Sequence, residues 1–317
     1  MLYRTPCTSV SRRKTARLSS LMVFAALTLM ASTALAQDDA TSFQVEHFEP
    51  LPSQGTNIMN IAKSDVLGHL KPSFGLFAHY VDDPLILVNE DDSADVPARF
   101  IHNQFKTELW ASLGLFNIAE LGVVLPVIPF QSGDELTELG IPSSIDGFAL
   151  ADMRVIPKVQ VLNPEKFGGF GLALVAPVYL PLGDDGSFNS DGKFRVEPRL
   201  VADWRHEVGI AVSGNIAYQV RPETASRNIV VDDVVRYGFG VELPTGVESM
   251  RIIGSLFGNI QLADDRVIDS QTLGENRSSP MEALGGLQFS LPAHLVASVG
   301  GGAGLTKGGG SPDFRVF

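Results

Sequence analysis

Between Lys193 and Arg205 the chain alternates strictly enough to limit what it can fold into. Phe194, Val196, Pro198, Leu200, Ala202 and Trp204 are apolar, while Lys193, Arg195, Glu197, Arg199, Asp203 and Arg205 between them are charged, with Val201 the exception. A period of two belongs to a β-strand, so this strand has one apolar and one ionic face. A soluble sheet turns its apolar face to a core, whereas a transmembrane barrel turns it to lipid and keeps the polar face for its interior. One strand does not separate the two cases, but repetition along the chain does.

The pattern recurs from Lys71 to Phe317, mostly in segments about as long as a tilted membrane strand of roughly 9 to 11 residues. Phe74, Leu76, Ala78 and Tyr80 share one face. Phe105, Thr107, Leu109, Ala111 and Leu113 oppose Gln104, Lys106, Glu108 and Ser112, and Leu121, Val123, Leu125 and Val127 oppose Glu120 and Gly122. Met153, Val155, Pro157, Val159 and Val161 oppose Asp152, Arg154, Lys158 and Gln160, and Phe170, Leu172 and Leu174 oppose Gly171 and Ala173. Further on, Val212, Ile216 and Tyr218 face away from Ser213, Asn215 and Gln219, and Val235, Tyr237, Phe239 and Val241 from Arg236 and Glu242. Met250, Ile252, Leu256 and Ile260 oppose Arg251, Ser255 and Asn259, although Ile253 and Phe257 break the polar side. Met281, Ala283, Leu287 and Phe289 oppose Glu282 and Gln288; Leu295, Ala297 and Val299 stand among glycines; Asp313 to Phe317 begins a last strand and stops.

The connections alternate in length. Those at 116–119, around Arg205 and His206, at 244–247 and at 292–293 are tight, with 163–168 slightly longer. Those at 82–99, 131–147, 182–192, 222–230 and 262–280 are long, and 306–311 is intermediate. Outer-membrane barrels sort short periplasmic turns from longer outside loops in this way. No Lys or Arg falls on the apolar faces, where each would cost roughly 2 to 4 kcal/mol at the bilayer midplane. Aromatic residues near strand ends, among them Phe74, Tyr80, Trp204 and Tyr218, suit an interfacial girdle. The expected fold is an all-β, antiparallel transmembrane β-barrel of about twelve strands over residues 70–317, with its N-terminus in the periplasm.

The N-terminus carries an export signal. Arg12, Arg13, Lys14 and Arg17 precede an apolar stretch from Leu18 to Leu35 that ends in Ala34-Leu35-Ala36, which reads as a signal peptide over residues 1–36 cleaved near Ala36. Ser19, Ser20, Thr28, Ser32 and Thr33 shorten its apolar core below the roughly 18 to 20 residues of a spanning helix. The expected location is the outer membrane of a Gram-negative cell. The only cysteine, Cys7, lies in this segment, so the mature chain has neither a disulfide nor a lipid-attachment cysteine. Cleavage takes five basic residues and no acidic ones from the 24 and 36 of the whole chain, leaving a net charge near −17. Such acidity argues against nucleic acid as a partner. The expected partners are outer-membrane lipid, the barrel-assembly machinery during biogenesis, and small solutes or ions as cargo.

The ionic faces would line the interior with both signs of charge: Lys106, Glu108, Glu120, Asp152, Arg154, Lys158, Arg195, Glu197, Arg199, Asp203, Arg236, Glu242, Arg251 and Glu282. Of these, Asp152, Arg154, Lys158, Arg195, Glu197, Arg199 and Asp203 are the candidate lumen or constriction residues, with the four cations as an anion-preferring patch. Two readings stay open: a water-filled pore tuned by these charges, or ion pairs between neighbouring strands that fill the lumen. Catalysis is not expected. No serine lies in a G-x-S-x-G context, and along a strand His206 and Ser213 would stand roughly 23 Å apart. The oxygen-rich stretch 184–192 lacks the spacing of an EF-hand and reads as a solvated outside loop. No cofactor or metal is expected.

Several stretches carry a family resemblance: R-V-I-P-K (154–158), V-A-P-V-Y-L-P-L-G (175–183), E-P-R-L (197–200), G-G-G-A-G-L-T-K-G-G-G-S-P-D-F-R-V-F (300–317) and, more weakly, L-K-P-S-F-G-L (70–76). In these the chain resembles the N-terminal barrel of OmpA-family outer-membrane proteins and is similar to barrels of the phenol-degradation meta-pathway transporter type. The resemblance implies a barrel and no particular substrate. It also implies a longer final strand followed by a peptidoglycan-binding domain, so the short last strand favours a truncated chain over natural termination. Residues 37–69 fit no strand and read either as a periplasmic lead-in or as a plug folded into the lumen. The expected function is a passive pore for small solutes or ions; a structural membrane anchor with a closed, ion-paired lumen is the alternative, and a soluble periplasmic β-protein the third.

Overall fold

The computed structural model describes residues 43–87, 98–134, 145–184, 186–222, 224–226, 229–262, 279–306 and 310–317. The export signal of residues 1–36 lies outside the described residues. Among the described residues twelve strands form one antiparallel sheet. They are β1 (Pro72–Leu87), β2 (Ala98–Leu115), β3 (Ala119–Ser132), β4 (Gly147–Leu150 continued by Met153–Leu162) and β5 (Phe170–Val175 continued by Val178–Leu180). After these come β6 (Arg195–Val196 continued by Arg199–Arg205), β7 (Ala211–Gln219), β8 (Val234–Pro244), β9 (Met250–Gln261), β10 (Met281–Leu291), β11 (Leu295–Gly304) and β12 (Phe314–Val316). Each strand pairs with its neighbours in sequence, and β12 returns to β1 with Phe314 opposite Asp82 and Val316 opposite Tyr80. The sheet is therefore a closed barrel, the arrangement that leaves no open sheet edge to either side.

The breaks inside β5 and β6 fall at Pro177 and Pro198, which lack the N–H a ladder needs. Their carbonyls still accept from the next strand, Pro177 from the Glu197 N–H at 2.9 Å and Pro198 from that of Tyr218 at 3.1 Å. Short connections join β2–β3, β4–β5, β6–β7, β8–β9 and β10–β11 at one end of the barrel, and the longer ones collect at the other. A short hairpin, Thr224–Ser226 with Ile229–Val231, lies in the β7–β8 connection.

Burial is inverted relative to a soluble protein. Phe74, Leu109, Val161, Phe170, Ile216, Phe239 and Val299 are exposed on the outer face, while Lys106, Glu108, Arg154, Lys158, Arg195 and Glu197 are buried inside. Ordinary chains almost never bury such charges unless they are paired. What covers them here is the chain's own N-terminal part. Phe43 to Ser64 lies within the barrel and is almost wholly buried, including the small hairpin Asn57–Ile58 and Ile61–Ala62.

This segment starts at the end with the long connections, where Phe43 and Val45 pack with Leu85, Ile101, Ile145 and Phe188. It reaches the opposite end at Leu67 to Leu70, where the Leu70 N–H donates to the Gly114 carbonyl at 2.8 Å, and enters β1 from there. The described chain thus begins at the long-loop end and reaches β1 through the interior; the N-terminus itself, expected in the periplasm, lies outside the described residues. Residues that interrupt the polar faces find their reason here. Val201 packs with Leu51, Ala62, Val124, Ile156 and Val175, and Ile253 and Phe257 pack with Phe48, Ile58, Met59 and Ile61.

Candidate functional site

The lumen wall is shaped to the segment it holds. Gly238 and Gly240 on β8 face inward, and a methyl group at either would press on Ile61; at Gly171 it would strike Ser64 and Asp203, and at Gly122 it would strike Pro52. Interiors pack at crystal density, so these missing side chains are space the segment occupies. Backbone groups of the segment are met by wall side chains: the Ala62 N–H by Asn215 Oδ1 at 2.8 Å, the Ala62 carbonyl by Ser213 Oγ at 2.6 Å, and the Ser64 N–H by Asp203 Oδ1 at 2.7 Å. Ser213 is committed in this way, and His206 sits in a turn accepting from the Val208 N–H, so the two form no catalytic pair.

Charges divide between wall and segment. On the wall, Arg154 pairs with Glu108, Lys106 with Glu108 at 3.5 Å, Arg195 with Asp152 at 3.0 Å, and Arg236 with Glu197 at 2.8 Å; Arg199 also pairs with Glu197, and Arg315 Nε donates to Glu282 at 2.6 Å. The segment adds Glu46, close to Arg315 and 3.4 Å from Lys106, and Glu49, 2.7 Å from Arg236 and 3.9 Å from Arg154. Further along, Lys63 pairs with Glu242 at 2.8 Å and Asp65 with Arg205 at 2.6 Å. The wall pairs lie within one strand or join next-but-one strands rather than the neighbouring strands expected, and the segment interposes a second set.

The seven candidate lumen residues are all buried, but they do not converge on one ring. Asp152 and Arg195 lie toward the long-loop end, where Arg195 also binds the Gln44 side chain and stacks 4.2 Å above the Tyr179 ring. Arg154 donates to the Pro50 carbonyl at 3.3 Å, and Glu197 accepts from Tyr179 at 3.1 Å and Gln219 at 3.2 Å. Arg199 reaches the Asn60 carbonyl at 3.4 Å. Lys158 donates to Asn57 Oδ1 at 3.1 Å, and Asp203 holds Ser64, so these two serve the other end of the segment. A constriction formed jointly by Arg154, Lys158, Arg195 and Arg199 is therefore not what the geometry assembles, because each cation is turned to a different stretch of the threaded chain.

Sequence reasoning missed Glu46, Glu49, Lys63, Tyr179, Asp191, Arg221 and Arg315. Alternation of Phe43 and Val45 with Gln44 and Glu46 was a usable signal for an extended, two-faced stretch, but nothing local says that it lies inside a barrel. The stretch 184–192 is corrected as well. Its described second half folds inward, with Ser190 Oγ donating to Asp152 at 2.6 Å and Asn189 to Gln131 at 2.8 Å. Asp191 accepts from the Gln44 N–H at 2.7 Å and Arg221 at 2.6 Å and lies 3.2 Å from Arg195 Nε. Burial alone would raise the Asp191 carboxyl, but Arg195, Arg221 and the Gln44 N–H outweigh it and hold the group below its ordinary value.

Asp82, Asp83 and Asp313 bring oxygens together at the β12–β1 seam, but Asp83 is engaged by Arg99 Nε at 2.9 Å and His102 Nδ1 at 2.7 Å. A small cavity of about 30 Å³ remains beside the segment, lined by His47, Glu49, Asn60, Arg199, Arg236 and Asn259 among others. That is room for a water molecule or two, and not for a solute.

Fold and interior together define a closed antiparallel barrel with an occupied lumen. No protein-family model matches the chain and no curated protein matches it, so the resemblance to OmpA-family barrels rests on its short motifs. Among solved structures it is similar to the NanC porin, with a TM-score of 0.46 and 10% identity over 67% of this chain and 91% of that one. The barrel assignment itself stands on the strand register.

Proposed function

We propose that this protein is an outer-membrane β-barrel channel for small solutes or ions, closed in the described state by residues 43–66. Membrane insertion is supported by the inverted burial, an apolar outer face over a charged interior, since a lipid-facing Lys or Arg would cost roughly 2 to 4 kcal/mol. Lipid is then the partner of the outer face, and the barrel-assembly machinery that of its biogenesis. One observation carries the channel reading: the lumen is wide enough for a chain to enter at one end, double back through a hairpin and leave at the other. With that chain withdrawn, the same space would pass a small solute.

A structural anchor with a permanently closed lumen is the second reading, favoured by the fit of Ile61 against Gly238 and Gly240. Planar-bilayer recording separates the two. The refolded protein should show rare ion steps, and Phe48→Ala, which removes the ring packed on Phe77 and Phe257, should make them frequent. Silence from both proteins, each shown to be folded by heat-modifiable gel migration, would leave the anchor.

A further inference from the structure

Two buried carboxylates in the lumen belong to the threaded segment, and each sits in a cradle whose members come from separate strands. Glu49 accepts from the Tyr179 hydroxyl of β5 at 2.6 Å and from Arg236 Nη1 of β8 at 2.7 Å, with Arg154 Nη1 of β4 at 3.9 Å and Gln44 of the segment itself at 2.9 Å. Glu46 is held by Arg315 of β12, with Lys106 Nζ of β2 at 3.4 Å and His79 Nδ1 of β1 at 3.7 Å. A guanidinium and a phenol on Glu49, and a guanidinium on Glu46, make strong hydrogen bonds to the carboxylates, and the Arg154 and Lys106 cations add ion pairs beside them.

These cradles keep part of their charge balance when the segment leaves. Glu108 serves Lys106 and Arg154, Glu197 serves Arg236 and Arg199, and Glu282 serves Arg315, so every cation keeps a wall partner, but five cations share three carboxylates and the surplus positive charge faces the lumen. A site that stays paired when its occupant leaves avoids the penalty of a bare buried charge. The cavity beside Glu49 already leaves room for water at one of them.

We propose that the two cradles are binding sites for the carboxylate groups of solutes in the open channel, and that Glu46 and Glu49 fill them in the closed state as the chain's own competing ligands. This rests on the channel reading above. Withdrawing the segment uncovers Arg154, Arg236, Lys106 and Arg315 together, so organic anions are favoured over cations of the same size.

Chemical rescue tests the sites without conduction. Glu49→Ala vacates the first cradle, and unfolding is followed by heat-modifiable migration in detergent with sodium propionate or sodium chloride at equal ionic strength. Propionate should raise the midpoint of Glu49→Ala with a half-saturating concentration about tenfold below that of chloride, the factor expected of one added charge-assisted contact. The wild type, its cradle filled, should respond alike to both salts, and adding Arg236→Gln to Glu49→Ala should abolish the preference. Equal response of Glu49→Ala to the two salts overturns the proposal. Should Glu49→Ala fail to assemble in chloride, Glu46→Ala gives the same readout at the second cradle, and failure of both variants to assemble even in propionate also overturns it. Bilayer recording keeps the two readings apart. Rescue by propionate with no ion steps from any variant removes the channel and with it the role in transport, whereas ion steps without propionate preference remove the sites and leave the channel.

Discussion

The two halves of the threaded segment are held by different physics. From Gln44 to Pro50 ionic contacts stand beside apolar ones: Glu46 and Glu49 lie among Arg315, Lys106, Arg236 and Arg154, the Gln44 N–H is tied to Asp191, and Phe48 between the two carboxylates packs on Phe77 and Phe257. From Leu51 to Ala62 they are mainly steric and apolar, with Ile58, Met59 and Ile61 against Ile253, Phe257 and the inward glycines of β8. Apolar packing rewards any hydrophobe of suitable shape, whereas buried pairs penalise the loss of either partner heavily. The ionic half is therefore the one a change of solution can address, and the apolar half is the one that anchors the segment irrespective of pH.

Three experiments press on this contrast, the largest effect first. Arg315→Met leaves Glu46 and Glu282 buried without their guanidinium, and unfolding of the refolded barrel should show a loss of about 3 to 5 kcal/mol; a loss under about 1 kcal/mol would mean that the ionic half contributes little. Ile61→Ala opens a cavity against Gly238 and Gly240 and should cost about 2 to 3 kcal/mol, with the same cost at pH 7 and pH 4. A cost that changed with pH would erase the distinction between the halves. The smallest effect belongs to Asp191. Its folded pKa is depressed, so its stabilisation is complete above the ordinary carboxylate value near 3.8 and is lost as pH falls through the lower folded value. Asp191→Asn should lower stability modestly at pH 7 and remove the part of the acid sensitivity below about pH 4 that this group supplies. Hydrogen exchange at Gln44 and Val45 is the local readout, and an unchanged acid profile in the variant would assign this acid sensitivity to other groups.

Much of the fold was legible because the signal is local. Phe194 to Arg205 alternate within one strand, and the structure places Arg195, Glu197, Arg199 and Asp203 inside and Leu200 outside, as the period of two requires. The sorting of short and long connections was equally readable. The candidate site was legible only in half. Asp152, Arg154, Lys158, Arg195, Glu197, Arg199 and Asp203 are buried as expected, but their division among separate stretches of the segment was not visible, since it depends on groups far away in sequence. Val201, Ile253 and Phe257 stood out as exceptions without an explanation; each is the imprint on the wall of an apolar residue that lies across the lumen from it.

What the sequence determined by itself is therefore the two-faced strand, repeated until a barrel results, because side-chain alternation is a property of each few residues and of nothing else. Only the tertiary structure decided what fills the interior. Glu46 and Arg315 stand 269 positions apart, and no local pattern can pair them. They meet because β12 closes the sheet onto β1 around the segment that lies inside it, which brings the two charges together.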